Sequence, residues 1–345
     1  MTDTSLNFEP INPDSDSFRL IFVASMIGSA IGDALGMPFE NIAEAKIRKH
    51  IRMPVRSYCD PIEGSPCFQF ALKKGMYTDD TQATLACALA IAKHGDLTPV
   101  IVADALLGWL FHGSLGQEAR YPGLTTREAM IRYEETKDPY TCGVDSATCG
   151  AAIRILPIAL WLCVRKPVDL DEEVRQLARV THTAHSAQDG AVLVARLIQH
   201  AVTGGPITVA HLSGLSTSRL MQKSLNSVRR SLESKAKPDD VVQELGGGTK
   251  AHVVIPMAIF HLFRNGFHFE DTLIQALNTL HPSGIDADSI MSVAGGIAGA
   301  HFPDEVAQSD WIEGLEDRDA ISVAAQKLYE ATVADDGLLA KLQGT

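Results

Sequence analysis

Two acidic clusters carry the side chains most suited to chemistry. In residues 76–90, MYTDDTQATLACALA, Asp79 and Asp80 stand side by side between Thr78 and Thr81, just ahead of an apolar run with helical character. In residues 281–300, HPSGIDADSIMSVAGGIAGA, Asp286, Asp288 and Ser289 precede a run of small residues. Neighbouring carboxylates repel, and burying a single unpaired one costs on the order of several kcal/mol. Each cluster alone reads equally well as a helix cap, because Thr and Asp oxygens accept from the free N–H groups of a first turn and anions suit that end. Two such clusters, both rich in hard oxygen donors, favour a shared cation site over two independent caps. Oxygen-only ligation suits Mg²⁺, Mn²⁺ or Ca²⁺ rather than zinc. A further pair of carboxylates, Asp33 and Glu40, lies in GSAIGDALGMPFE at residues 28–40.

The elements that must position these groups are helical. In AVLVARLIQHAV, Ala191, Val194, Ala195, Ile198, Ala201 and Val202 fall on one face of a 3.6-residue period, and in SIMSVAGGIAGAHF Ile290, Val293, Ala294, Ile297 and Ala298 do the same. Glycine inside a helix costs about 1 kcal/mol relative to alanine. Gly295, Gly296 and Gly299 therefore call for close approach of another backbone. Pro157 and Pro256 sit inside helical patterns and mark a kink or a first turn. Residues 51–74 and 112–146 read as long surface loops of the kind that carry function. Strand signals are weak, and neither an internal repeat nor a Pro/Ser-rich linker divides the chain. The expectation is one all-α domain over residues 18–345 behind a polar, extended or disordered arm, residues 1–17, with too little apolar periodicity to pack.

Composition narrows the function classes. A net charge of −12 on 345 residues argues against nucleic acid as the main partner. The most basic stretch, SVRRSLESKAKP, reads as the solvated face of a helix. The six cysteines form no C-x-x-C pair and no zinc spacing, and Cys87 lies in an apolar helix, which fits reduced thiols and a cytoplasmic location. The N-terminus shows no basic segment followed by an apolar one, so no secretory signal is expected. Asp33 interrupts the apolar run LIFVASMIGSAIGDALGMPF, and its small residues indicate a packed core helix rather than a membrane span. GGGTK at residues 246–250 lacks the order of a phosphate loop, and no G-x-S-x-G elbow occurs.

The motifs GSAIGDALGMPFE, YTDDTQATLA, CGAAIRILPIAL, THTAHSAQDGA and SGIDADSIMSVAGGIAGA occur in an order that resembles the ADP-ribosylglycohydrolase family, from about residue 20 to residue 302. The resemblance implies a compact multi-helix all-α fold with a dinuclear metal centre at the base of a cleft that binds ADP-ribose. It makes Thr78, Asp79, Asp80, Asp286, Asp288 and Ser289 the expected ligands of two Mg²⁺ ions, with Mn²⁺ as the substitute. Glu40 matches an acidic residue that touches the metal centre or its water, so Glu40, Asp79 and Asp80 are the candidate catalytic carboxylates. Two departures stand out. Cys149 occupies a position where the family often has Asn, and the late motif reads Gly284, Ile285, Asp286 with Ser289 in place of Thr.

The implied reaction is hydrolysis at a ribose anomeric carbon, which passes through an oxocarbenium-like state. It requires a positioned water and a carboxylate to take its proton. A diphosphate favours backbone N–H groups at glycine turns and helix starts, so Gly113, Ser114, Gly116 and Gly150 are candidates for binding it. His182 is a candidate for ribose or phosphate contact, although a histidine ahead of a helix also serves as a cap or core residue. The expected activity is removal of ADP-ribose from a modified protein side chain, arginine first. The alternative is a non-catalytic binding protein for ADP-ribose or for an ADP-ribosyltransferase. A structural helical protein is a weaker third reading. Beyond the modified protein, a cognate transferase is a possible partner through the arm, where Phe8 and Pro10 stand among acids. No nucleic acid or membrane is expected.

Overall fold

A computed structural model describes residues 5–9 and 15–334, and among them the chain forms eighteen α-helices and two three-residue strands. Its centre is an antiparallel pair, Ser15–Gly36 against Ala287–His301. The glycines of both sequences face one another along this seam. A Cβ on Gly32 would lie 2.0 Å from the Met291 carbonyl oxygen, and one on Gly295 would lie 2.2 Å from that of Gly28. Only hydrogen fits at these positions, so the backbones pack directly and the helical cost of glycine is offset by burial. Two hydroxyl bonds cross the seam as well: Ser25 Oγ donates to Gly296 O at 2.8 Å, and Ser29 Oγ lies 2.8 Å from Ser292 Oγ.

This register decides where chemistry occurs. The C-terminal end of Ser15–Gly36 lies beside the N-terminal end of Ala287–His301, with Gly36 against Ala287. Glu40 is thereby carried next to Asp286 and Asp288. The backbone pins the join, since Asn41 N donates to Ile285 O at 2.7 Å. Asp79–His94, Ile155–Arg165, His185–Thr203, Ala251–Arg264, Phe269–Leu277 and Arg318–Val333 surround the central pair and close the main apolar core. The apolar stretch Asp16–Phe39, long enough to cross a membrane, is mostly buried inside this core.

Three local readings are refined. Within residues 112–146, read as loop, Leu124–Thr136 is a helix that buries Thr126, Ala129, Met130 and Tyr133. Its many polar residues obscured an i, i+3, i+4, i+7 face. Pro157 falls in the first turn of Ile155–Arg165, whereas Pro256 lies inside Ala251–Arg264. The N-terminal arm is extended over Leu6–Phe8 but not free: this strand pairs antiparallel with Gly205–Ile207. Phe8 packs edge-on against His200, Phe267 and His301, at ring separations of 5.3, 5.2 and 4.9 Å. One aromatic anchor docks the strand where periodicity indicated none. Pro10 and residues 1–4 lie outside the described residues.

Candidate metal centre and ligand pocket

The two acidic clusters meet, and the caps are supplied by other groups. Thr78, in an extended conformation ahead of Asp79–His94, accepts from Asp80 N through its hydroxyl at 3.3 Å. Buried Asp33 reaches across from the first long helix. Its oxygens accept from Thr78 N and Thr81 N at 3.0 Å and from Thr81 Oγ1 at 2.5 Å. With the first turn capped this way, Asp79 and Asp80 face the pocket. Asp79 Oδ2 accepts from Gly123 N at 3.1 Å, and Asp80 Oδ2 accepts from Ser289 Oγ at 2.8 Å. Asp286 occupies the N-cap position of its helix yet makes no side-chain capping bond.

Oxygens of Glu40, Asp286 and Asp288 lie within 4.8 Å of one another, all three residues buried. They line a pocket of about 390 Å³ together with Asp79, Asp80, Ser289, Thr148, Cys149, Gly150, His182 and Thr249. Trp109, Tyr121, Gly123 and Leu124 are shared with an outer cleft of about 1230 Å³, so the acidic pocket is continuous with a larger mouth. Thr78 stands at the edge of the pocket rather than in its lining, and its hydroxyl oxygen accepts the cap bond from Asp80 N while keeping a second lone pair.

The electrostatics are one-sided. Burial, then the Asp286 charge, pushes Glu40 up to about 7. Burial raises Asp33 to about 6. Asp79, Asp80 and Asp288 are held well above the ordinary carboxylate range by burial and then by neighbouring carboxylates, and burial raises Asp286. Among the described residues no Lys or Arg pairs with any of them. Asp288 Oδ1 is buried with no hydrogen-bond donor. An orphaned carboxylate oxygen, a compact buried triad and a donor lining made mostly of oxygens together fit a hard divalent cation.

His182 is buried between two hydroxyls, with Nδ1 2.7 Å from Thr181 Oγ1 and Nε2 2.9 Å from Thr148 Oγ1. Burial, with Arg154 second, drives its pKa well below the usual value, so the ring is neutral. Buried Arg154 organises this wall by donating to Gly150 O at 3.1 Å and to Thr181 Oγ1 at 2.5 Å. Gly150 and His182 therefore reach the pocket as expected. Gly113, Ser114 and Gly116 do not. Gly113 and Gly116 line the outer cleft, and Ser114 lines neither space. Their N–H groups are consumed in a helix C-terminal turn: those of Gly113 and Ser114 donate to Gly108 O, and that of Gly116 to Gly113 O. In this conformation all three amides are engaged by carbonyls of their own chain.

Sequence reasoning missed Thr125, Thr126, Thr148, Thr249 and Tyr121 as pocket residues. The GGGTK segment, set aside as a phosphate loop, does contribute Thr249, and its Gly248 bridges to Ile285. No spacing in the sequence announces these residues, because they arrive from three separate segments, around residues 121–126, 148 and 249.

Comparison with known proteins bears on this geometry. The family model for ADP-ribosylglycohydrolase matches residues 14–337. An uncharacterized protein of Archaeoglobus fulgidus is 31% identical, over 88% of this chain and 94% of its own length. The ADP-ribosylarginine hydrolase Tri1 of Pseudomonas putida is 28% identical over 93% of this chain and 81% of its own. The ADP-ribosyl-[dinitrogen reductase] glycohydrolase of Rhodospirillum rubrum is 28% identical over 85% and 90%. A solved structure titled ADP-ribosylglycohydrolase-related protein complex superposes with a TM-score of 0.69 at 23% identity, over 92% of this chain and all of that one.

Proposed function

The chain belongs to the ADP-ribosylglycohydrolase family, and from that membership we propose that it is a divalent-metal-dependent hydrolase removing ADP-ribose from modified protein side chains, arginine first. The observation that carries this reading is the buried triad Glu40, Asp286 and Asp288, whose charges no Lys or Arg offsets among the described residues. Asp79, Asp80, Asp286, Asp288 and Ser289 would hold two Mg²⁺ or Mn²⁺ ions, and Thr78 would join them through the hydroxyl that caps its helix. Bound there, such ions lower the pKa of a coordinated water and anchor sugar hydroxyls.

The chain's own residues supply the remaining functions. Glu40 accepts from Asn41 Nδ2 at 3.2 Å through Oε1 and lies 3.5 Å from Cys67 Sγ through Oε2, which fixes its carboxylate toward the pocket. Buried at the edge of the acidic cluster, it is placed to take a proton from water and return it to the leaving group. Asp79, held by Gly123, and Asp80, held by Ser289, place negative charge where an oxocarbenium ion would develop. Neutral His182 and the Thr148 hydroxyl form a polar wall suited to ribose. The preference for arginine rests on the relatives named ADP-ribosylarginine hydrolase. Six free cysteines suit a reducing, cytoplasmic setting. Phe8 of the arm is engaged by Phe267 and His301 of its own chain, which takes this ring away from a transferase.

The test is release of free ADP-ribose from arginine-ADP-ribosylated protein, with and without Mg²⁺. Release should depend on the cation, and chelation should also lower the melting temperature. Full turnover in excess EDTA, with metal content verified as nil, overturns the metal assignment. Tight binding of ADP-ribose without release would instead make this a binding protein.

A further inference from the structure

Cys149 brings sulfur into an otherwise oxygen-lined pocket. Its Sγ lies 3.2 Å from Asp286 Oδ2 and 3.8 Å from Ser289 Oγ, and the residue is 4% exposed. The backbone fixes that aim: Cys149 N donates to Thr249 O at 3.0 Å, and its carbonyl accepts from Ala152 N at 2.7 Å. A second, separate feature of the same pocket points to a ligand. Asp288, 3% exposed, turns into the pocket with an Oδ1 that no donor meets.

Ligand spacing makes the sulfur usable. Donors at metal–sulfur and metal–oxygen distances of about 2.3 and 2.1 Å lie about 3.1 Å apart at a right angle and about 3.6 Å apart at a tetrahedral one. The separation of Cys149 Sγ from Asp286 Oδ2 falls in that range, so both can reach one ion without rearrangement. Cys67 offers a contrast. Its Sγ is 3.5 Å from Glu40 Oε2, yet it also meets Met37 O at 3.2 Å and Tyr121 OH at 3.0 Å, and it does not line the pocket.

We propose that Cys149 is a metal ligand in this chain, giving the acidic site a mixed oxygen–sulfur donor set that takes borderline-soft divalent cations of the zinc, cobalt and cadmium class in addition to hard Mg²⁺ or Mn²⁺. The inference rests on the reading that the acidic pocket binds a divalent cation. Coordination replaces the S–H bond with a metal–sulfur bond and releases one proton to solvent. Soft and borderline ions gain from the thiolate, whereas Mg²⁺ does not.

The test uses the full chain stripped of metal and titrated with Co²⁺ alone, in a Cys59→Ser background that removes the half-exposed thiol. Two readouts are taken: bound cobalt by equilibrium dialysis, and the near-ultraviolet thiolate-to-cobalt charge-transfer band. The band should appear with stoichiometric cobalt, vanish in Cys149→Ser and persist in Cys67→Ser. Cobalt affinity should fall on the order of ten- to a hundredfold in Cys149→Ser, with Mg²⁺ affinity little changed. Cys149→Ala, which adds no polar atom, covers the case in which serine disturbs folding. Cobalt bound without the band, or a band that survives both Cys149 variants, overturns the sulfur ligand and leaves the oxygen site standing. Failure of cobalt, Mn²⁺ and Mg²⁺ alike to bind overturns the parent reading as well.

Discussion

Asp33 shows how much one carboxylate does without facing the pocket. Both its oxygens are consumed by Thr78 and Thr81, so it replaces the N-cap role that Asp79 and Asp80 would otherwise take. Those two are thereby left half-buried, with no Lys or Arg paired to them among the described residues, and line the same pocket as Asp286 and Asp288. Asp79→Ala and Asp286→Ala should each cut turnover roughly 10²-fold or more, as loss of an electrostatic stabiliser does. The double variant should be little worse, because residues acting as one unit are not additive. Without metal, each change should also raise the melting temperature, since it removes a desolvated charge from a repelling set. Activity near normal in either single variant, measured with its metal content, would break the link between the two clusters.

At the scale of elements, the glycine seam between Ser15–Gly36 and Ala287–His301 is the device that assembles the site. The two helices run antiparallel, so Glu40 and Asp286 emerge at the same end. Any slip along the seam moves the triad apart. A Cβ at Gly32 would stand 2.0 Å from Met291 O, within backbone that has nowhere to go. Gly32→Ala should therefore destabilise the fold by about 3 kcal/mol or more and reduce the stabilisation conferred by Mg²⁺. Gly214, on the helix Val209–Leu215, has open space where a Cβ would sit. Gly214→Ala should be neutral or stabilising by up to about 1 kcal/mol. Thermal denaturation of both variants with and without Mg²⁺ checks the pair. Equal, small effects would show that the seam tolerates separation.

For the molecule as a whole, buried histidines set an acid limit. His261 is 1% exposed with Nδ1 3.0 Å from Gln275 Oε1, and burial lowers its pKa to about 4. In the unfolded chain a histidine titrates near about 6.5. Between those values the unfolded chain binds a proton that the native chain refuses, so native stability falls as pH drops through the window. His261→Phe loses the bond to Gln275 but escapes this penalty. From pH 7 to pH 5 its stability should gain about 2 kcal/mol relative to the parent chain. Comparing the two chains cancels the acidic pocket, whose raised carboxylates respond in the opposite direction. Parallel stability curves would mean that His261 titrates normally in the fold.

The sequence by itself determined the helical class, the two acidic clusters and the need for close backbone approach, because each is a local pattern: a 3.6-residue period, adjacent carboxylates, glycines inside helices. The resemblance of its motifs to the family marked Cys149 as the residue that departs from the pattern. Only the tertiary structure decided that Asp33 and Thr78 take the cap, that Gly113, Ser114 and Gly116 spend their amides on a helix end, and that Thr148, Thr249 and Tyr121 line the pocket. It likewise docked Phe8 on His301, one helix length of about 20 Å from the acids. These outcomes depend on which segments meet across the core, and a hydrogen-bond donor or an apolar ring has no assigned partner until the helices have packed around the seam.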